Sequence, residues 1–188
     1  ALNYILDRAG GVPFFIHELT DALQSRKVLR LVNGRFALVG SANESWLPTS
    51  LEAVVAARID ALEPALKDAL RRCAVLGPEF ERRDAVFLFG DGVEALLTRL
   101  VELDWLRVVR MRGDSAGGYQ FTHTMSYEVA LGELLLEERM RDHQTMAEHL
   151  IAERETSRRG VNAAVIARHL EGAQDFARAG EYYLSAAE

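Results

Sequence analysis

Apolar residues recur along most of this chain at helical spacing, interrupted by one stretch that alternates like a pair of strands. Leu2, Ile5, Leu6 and Ala9 share one helical face, and Gly10-Gly11 can adopt the left-handed conformation that ends such a helix. Pro13 follows at a first helical position, where its missing N–H costs nothing. The next helix is predicted from Pro13 to Ser25, with Phe15, Ile16, Leu19, Ala22 and Leu23 on its packing stripe and Glu18 and Asp21 off it. Val28–Val32 and Arg35–Val39 then flank Asn33-Gly34, a pair suited to the positive dihedrals of a two-residue hairpin turn. A polar loop, Gly40–Ser45, follows. Behind Pro48, Thr49-x-x-Glu52 reads as a capping box worth on the order of 1 kcal/mol. It opens a helix carrying Leu51, Val54, Val55, Arg58, Ile59 and Leu62 at helical spacing, reset by Pro64.

Beyond Pro64 the pattern predicts three helices, about Pro64–Leu76, Glu81–Phe89 and Gly92–Asp104, then two short strands, Trp105–Met111 and Tyr119–Phe121. The Gly- and Ser-bearing run Arg112–Gly118 forms the tip between them. This order is that of a winged helix. Four further helices are predicted at Thr124–Leu136, Glu138–Glu155, Val161–Gly172 and Phe176 to the end. Helix pairs with short links suggest the first turns of a solenoid. The closing segment from Ala164 resembles a tetratricopeptide unit, with small residues where helices cross and Tyr183 between them. The predicted fold class is therefore mainly α. Its regions are 1–62 with the hairpin, 63–122 with the winged helix-turn-helix module, and 123–188 with antiparallel helix pairs leading into tetratricopeptide-like repeats.

The chain has 188 residues, 49% of them hydrophobic, which is ample for one or two packed domains. A net charge of -6 argues against nucleic acid or an anionic membrane as the main partner. No apolar run approaches the roughly 18–20 residues that span a bilayer, and no signal peptide is evident, so a cytoplasmic location is expected. Cys73 is the only cysteine, which rules out an intrachain disulfide and predicts a small apolar packing residue. The first residue is Ala1 and the last helix runs to Glu188, so the expectation is a segment of a longer protein, with more repeats after it.

Chemistry-bearing patterns are sparse. Lys27 and Lys67, the only lysines, stand outside any Gly-x-x-x-x-Gly-Lys-Ser/Thr loop, so no phosphate cradle is encoded. His143 and His149 are six apart, on different faces of a helix, and His17-Glu18-Leu19-Thr20-Asp21 lacks the second histidine of a zinc-protease helix. Ser41, Ser45, Ser50 and Ser126 have no nucleophile-elbow context. Neither catalysis nor metal binding is predicted for this segment. A DNA-binding winged helix of a transcriptional regulator is the alternative reading. Against it, the third helix from Asp91 to Asp104 carries Arg99 and four acids, where a helix entering the major groove should be neutral or basic. Arg107, Arg110 and Arg112 do make the wing basic.

Gly10-Gly11-Val12-Pro13-Phe14-Phe15-Ile16-His17-Glu18-Leu19 resembles the Gly-Asn-Pro-Phe-Phe-Leu-Glu-Glu-Leu segment of bacterial signal-transduction ATPases with numerous domains, the AAA-related type associated with adenylate cyclase, kinase or LuxR-type output modules. Leu47-Pro48-Thr49-Ser50-Leu51, Ala57-Arg58-Ile59-Asp60-Ala61-Leu62, Ala74-Val75-Leu76-Gly77-Pro78-Glu79-Phe80 and Phe121-Thr122-His123 are similar to further motifs of that family in the same order.

The resemblance implies a regulatory, nucleotide-sensing segment after the ATPase core: a helical lid with its hairpin, a winged helix, and the start of a repeat array. It implies ATP or ADP as cofactor of the intact protein, with none held by this segment alone. The implied partners are the upstream ATPase domain, the downstream repeats, and a protein or small ligand of the array. Pro13 matches the proline that packs near adenine in related nucleotide switches, with Val12 in place of the usual asparagine; core packing against Phe14 is the alternative. His123 matches the histidine of the Phe-x-His motif, implying a contact to the β-phosphate of ADP beside donors Thr122 and Thr124. A helix cap or a buried packing role is its alternative.

Overall fold

The structure is a computed structural model and describes residues 5–6, 9–25, 27–32, 34–39, 50–90, 92–110, 117–156 and 161–187. It is mainly helical, with nine helices among the described residues and two small antiparallel sheets. The chain divides into two compact units, Ala1–Ala61 and Leu62–Glu188.

In the first unit, Gly10 and Gly11 have φ of 56° and 78° and lead into helix α1, Pro13–Ser25. Only residues without a Cβ take two such values in succession at little cost. Phe15, Leu19 and Leu23 of α1 are buried against Ile5, Ala9, Leu29 and Val54. Strands β1, Leu29–Val32, and β2, Arg35–Leu38, pair antiparallel from Leu29↔Leu38 to Val32↔Arg35, which leaves the expected two-residue turn. Asn33 of that turn, and the Gly40–Ser45 loop, lie outside the described residues.

Helix α2, Leu51–Asp60, is capped by Ser50, whose hydroxyl accepts from Ala53 N–H at 3.3 Å. The cap therefore sits one residue later than the sequence reading placed it; Thr49 and Pro48 are outside the described residues. Val54, Val55 and Ile59 form the buried side of α2.

The second unit is organised around helix α3, Pro64–Leu76, which begins with a proline at its first turn. Leu66, Ala69 and Leu70 are buried, and from Cys73 to Gly77 every residue is. A helix apolar on more than one face must be surrounded. It packs against α4, Arg82–Phe89, α5, Val93–Glu102, α6, Thr124–Gly132, and α7, Leu136–Thr156.

Strands β3, Glu79–Glu81, β4, Leu106–Val109, and β5, Gly118–Phe121, form one sheet in the order β3-β5-β4, antiparallel throughout. Strand β3 is absent from the sequence reading, because three residues reading Glu-Phe-Glu carry too little periodicity. It exists through its partner: Phe80 faces Tyr119, and Phe121 N–H reaches Pro78 carbonyl at 2.9 Å. Asp104, with φ of 60°, ends α5 and turns the chain into Trp105 and β4. The tip residues 111–116, including Arg112, lie outside the described residues.

Helix α8, Ala163–Gly172, packs on α7, and α9, Phe176–Ala187, packs on α8 across the Ala173–Asp175 link. Asp175 N–H bonds to Leu170 carbonyl at 2.9 Å, and its Oδ1 accepts from Arg178 N–H at 3.2 Å. One residue thus closes α8 and caps α9. Arg178 also pairs with Glu148 of α7 at 2.8 Å.

Leu70 is fully buried at the centre of α3. Leu70→Ala is expected to cost about 2–5 kcal/mol of stability, as large-to-small changes in tight cores do. Gly77, with φ of 121° and ψ of 176°, occupies a region open almost solely to glycine. Gly77→Ala is expected to cost about 1–3 kcal/mol, measured like Leu70→Ala by urea unfolding.

Candidate functional site

Two corners carry the residues singled out by sequence, and they fall in different units. At the first, Val12 N–H bonds back to Ala9 carbonyl at 2.9 Å and Pro13 opens α1. Pro13 and Val12 are both exposed, whereas Phe15 beneath them is buried. Core packing at this corner is thus the work of Phe15. Glu18, expected off the packing stripe, is 1% exposed and makes an ion pair with Arg58 of α2 through its Oε1. That pairing lets a carboxylate sit in the α1–α2 interior. Its other oxygen, Oε2, is buried and has no hydrogen-bond partner among the described residues.

At the second corner, His123 is the N-cap residue of α6, in extended backbone with φ of -134° and ψ of 136°. Its carbonyl accepts from Ser126 and Tyr127 N–H at 3.0 and 3.3 Å, but its side chain makes no capping bond. The first turn of α6 contains no acidic residue. The partial positive charge of this helix end is therefore not offset within the turn itself. Beside it, Thr122 Oγ1 is buried without a hydrogen-bond partner among the described residues, while Thr122 N–H bonds to Trp105 carbonyl at 3.1 Å. Thr124 is exposed.

The face formed by α5 and the β4–β5 pair is electrostatically occupied. Arg99 pairs with Glu102 at 2.7 Å, and Arg82 pairs with Glu94 at 2.6 Å. Arg107 gives two hydrogen bonds, at 2.9 and 2.6 Å, to Gln120 Oε1 on the neighbouring strand. Within α5 the charges are Glu94, Arg99 and Glu102, so the helix is net acidic.

Sequence reasoning missed a buried pair of titratable side chains. His143 of α7 and His169 of α8 bring their Nδ1 atoms to 3.0 Å in a buried setting. The usable signal was periodicity: His143 shares a stripe with Met146, Ala147 and Leu150, and His169 lies one turn from Ile166. Glycine makes the meeting possible, since a Cβ at Gly172 would stand 2.5 Å from the His143 ring.

Hydrogen bonding also orders their protons. Arg168 Nη2 lies 3.4 Å from His169 Nε2 and can only donate. His169 then carries its proton on Nδ1 and donates to His143 Nδ1, which places the His143 proton on Nε2. Burial, reinforced by the guanidiniums of Arg168 and Arg139, holds His143 down to about 4. Burial, then Arg168 and His143, holds His169 down to about 3.

Other buried polar groups are tied into the scaffold. Asp142 accepts two bonds from Arg72, at 2.7 and 3.1 Å, and Arg72 lies over the Phe89 ring. Asp84 is pushed up to about 6, first by burial and then by Glu81 nearby. Arg83 draws Glu81 and Glu153 around it at 2.5 and 2.8 Å.

No group of three or more His, Cys, Asp or Glu side chains suited to a metal ion occurs among the described residues. None of the described helices is long and apolar enough to cross a membrane. No protein-family model, curated protein or solved structure matches the chain.

The histidine pair makes stability depend on pH with a definite sign. Both rings start from 6.5 and are lower when folded, so below 6.5 the unfolded chain binds more protons. Stability is complete above pH 6.5 and is lost as pH falls toward 4 and 3. The raised carboxyl of Asp84 acts oppositely, its contribution being full below 3.8 and lost as pH rises through about 6. Comparison with a His143→Gln/His169→Gln variant cancels it. Between pH 7 and 4.5 the unmodified protein is expected to lose about 5 kcal/mol more than the variant, read from urea midpoints at each pH.

Proposed function

We propose that this chain is the regulatory, nucleotide-state-sensing segment of a multidomain signal-transduction ATPase, following its catalytic core. On this reading 1–62 is a helical lid, α3 to β5 form a winged helix used for packing within the protein, and α8–α9 begin a tetratricopeptide-like array. The observation that carries the proposal is the order α3-β3-α4-α5-β4-β5 with β5 central in its sheet, running straight into helix pairs. The net acidic α5, with its arginine engaged, favours intramolecular packing over entry into a DNA groove.

In this mechanism the Pro13 corner offers an exposed apolar ring to a base, and the α6 N-terminus with His123 offers a positive end to a phosphate. Bound ADP would hold lid and winged helix against the core, and exchange or partner binding would release them. Such a switch needs contacts that differ between the two states. On this reading Pro13 and His123 would each supply some of them. This segment itself performs no catalysis; the phosphate loop belongs to the core.

The test uses the protein extended to include its ATPase core, titrated with ADP. Pro13→Ala and His123→Ala are each expected to weaken ADP roughly tenfold, the scale of one lost contact of this kind. Unchanged affinity in both would remove the site assignment. Mobility of random duplex DNA at low salt separates the alternative: a tight complex that Arg107→Ala and Arg110→Ala abolish would favour a DNA reader.

A further inference from the structure

A cleft of about 340 Å³ opens in the second unit where α6, α7 and the α8–α9 link meet the end of α3. Its charged lining is Arg139, Arg168 and Glu171, and its apolar lining includes Leu131, Leu136 and Phe176. Two guanidiniums against one carboxylate leave a single positive excess. Glu171 is moreover engaged, accepting from Tyr183 Oη at 2.7 Å. The backbone N–H of Arg139 bonds to Leu135 carbonyl at 2.9 Å, which leaves its guanidinium free to face the cleft. Arg168 spends Nη2 on Leu76 carbonyl, while its Nε is buried with no hydrogen-bond partner among the described residues.

The floor adds a neutral donor. His143 and Gly172 line the cleft side by side, and the proton order set by Arg168 and His169 leaves the His143 hydrogen on Nε2, the atom next to Gly172. An arginine pair and an imidazole N–H match the donor set that a carboxylate accepts from. The rim is greasy: Phe176 and Leu136 are 67% and 51% exposed. Surface of this kind takes the apolar body of a ligand whose charged end is held deeper.

From this arrangement we infer that the cleft binds a small organic monocarboxylate with an apolar or aromatic body, its carboxylate between Arg139 and Arg168 and its body against Phe176 and Leu136. The site would add ligand sensing at the joint between the three-stranded-sheet region and the first helix pair. It does not depend on the nucleotide reading above.

The experiment titrates the full chain with 4-phenylbutyrate, following heat of binding and the imidazole resonances of His143 and His169. Saturable binding near 1 mM is expected, typical of a ligand of this size, with the largest shift on His143. The neutral 4-phenylbutanamide and the Arg139→Gln variant should each bind or be bound about tenfold more weakly. Phe176→Ala, at an exposed position that does not threaten folding, should weaken 4-phenylbutyrate several-fold and leave acetate unaffected. No saturable response up to about 20 mM, equal binding of the amide, or undiminished binding in folded Arg139→Gln would overturn the proposal. Should Arg139→Gln fail to fold, Phe176→Ala decides: unchanged affinity there overturns it too.

Discussion

The guanidinium of Arg168 resting on the last carbonyl of α3 is the constraint on which the second unit turns. The contact, at 2.5 Å to Leu76 across 92 residues of sequence, satisfies a helix-terminal acceptor with a cation, where the helix dipole is negative. It is possible only because Gly77 has no Cβ, which would stand 2.5 Å from the same guanidinium. Fixing Arg168 fixes the rotation of α8 about its axis. That rotation aims His169 at His143 and places Gly172 where the second ring needs room. Two polar contacts of one guanidinium, to Leu76 and to His169, thus tie the end of α3 to the proton arrangement inside the helix pair.

Much of this architecture can be read from the chain. Most of the helices follow from apolar stripes of adequate length, although α6 stops at Gly132 and Leu136, read as its end, opens α7; the β1–β2 hairpin follows from alternation around its turn. What escaped reading depends on partners distant in sequence. Strand β3 is defined by Tyr119 and Gln120, about 40 residues away, so its own three residues say little. The start of α2 slipped by one position because threonine and serine both cap helices, and the sequence Thr49-Ser50 offers either.

The same division holds for polar residues. The positions of Pro13 and His123 at helix starts were legible from local punctuation. The burial of Glu18 was not, because a glutamate beside an apolar stripe reads as solvated until an arginine from another helix meets it. Likewise His143 and His169 look unrelated along the chain, 26 residues apart. Their encounter is a property of how two stripes interlock. Charge counts along α5 could not show that Arg99 and Arg107 are already held by Glu102 and Gln120.

The thiol of Cys73 lies fully enclosed in α3, and burial raises its pKa well above the usual thiol range. Thiolate, the reactive form, is therefore scarce and shielded from solvent. A cysteine introduced on an exposed surface would be the sole accessible nucleophile of its kind. Dye or spin labels could then be attached one or two at a time without first deleting the native sulfur, which gives this molecule a built-in convenience for measuring distances between its two units.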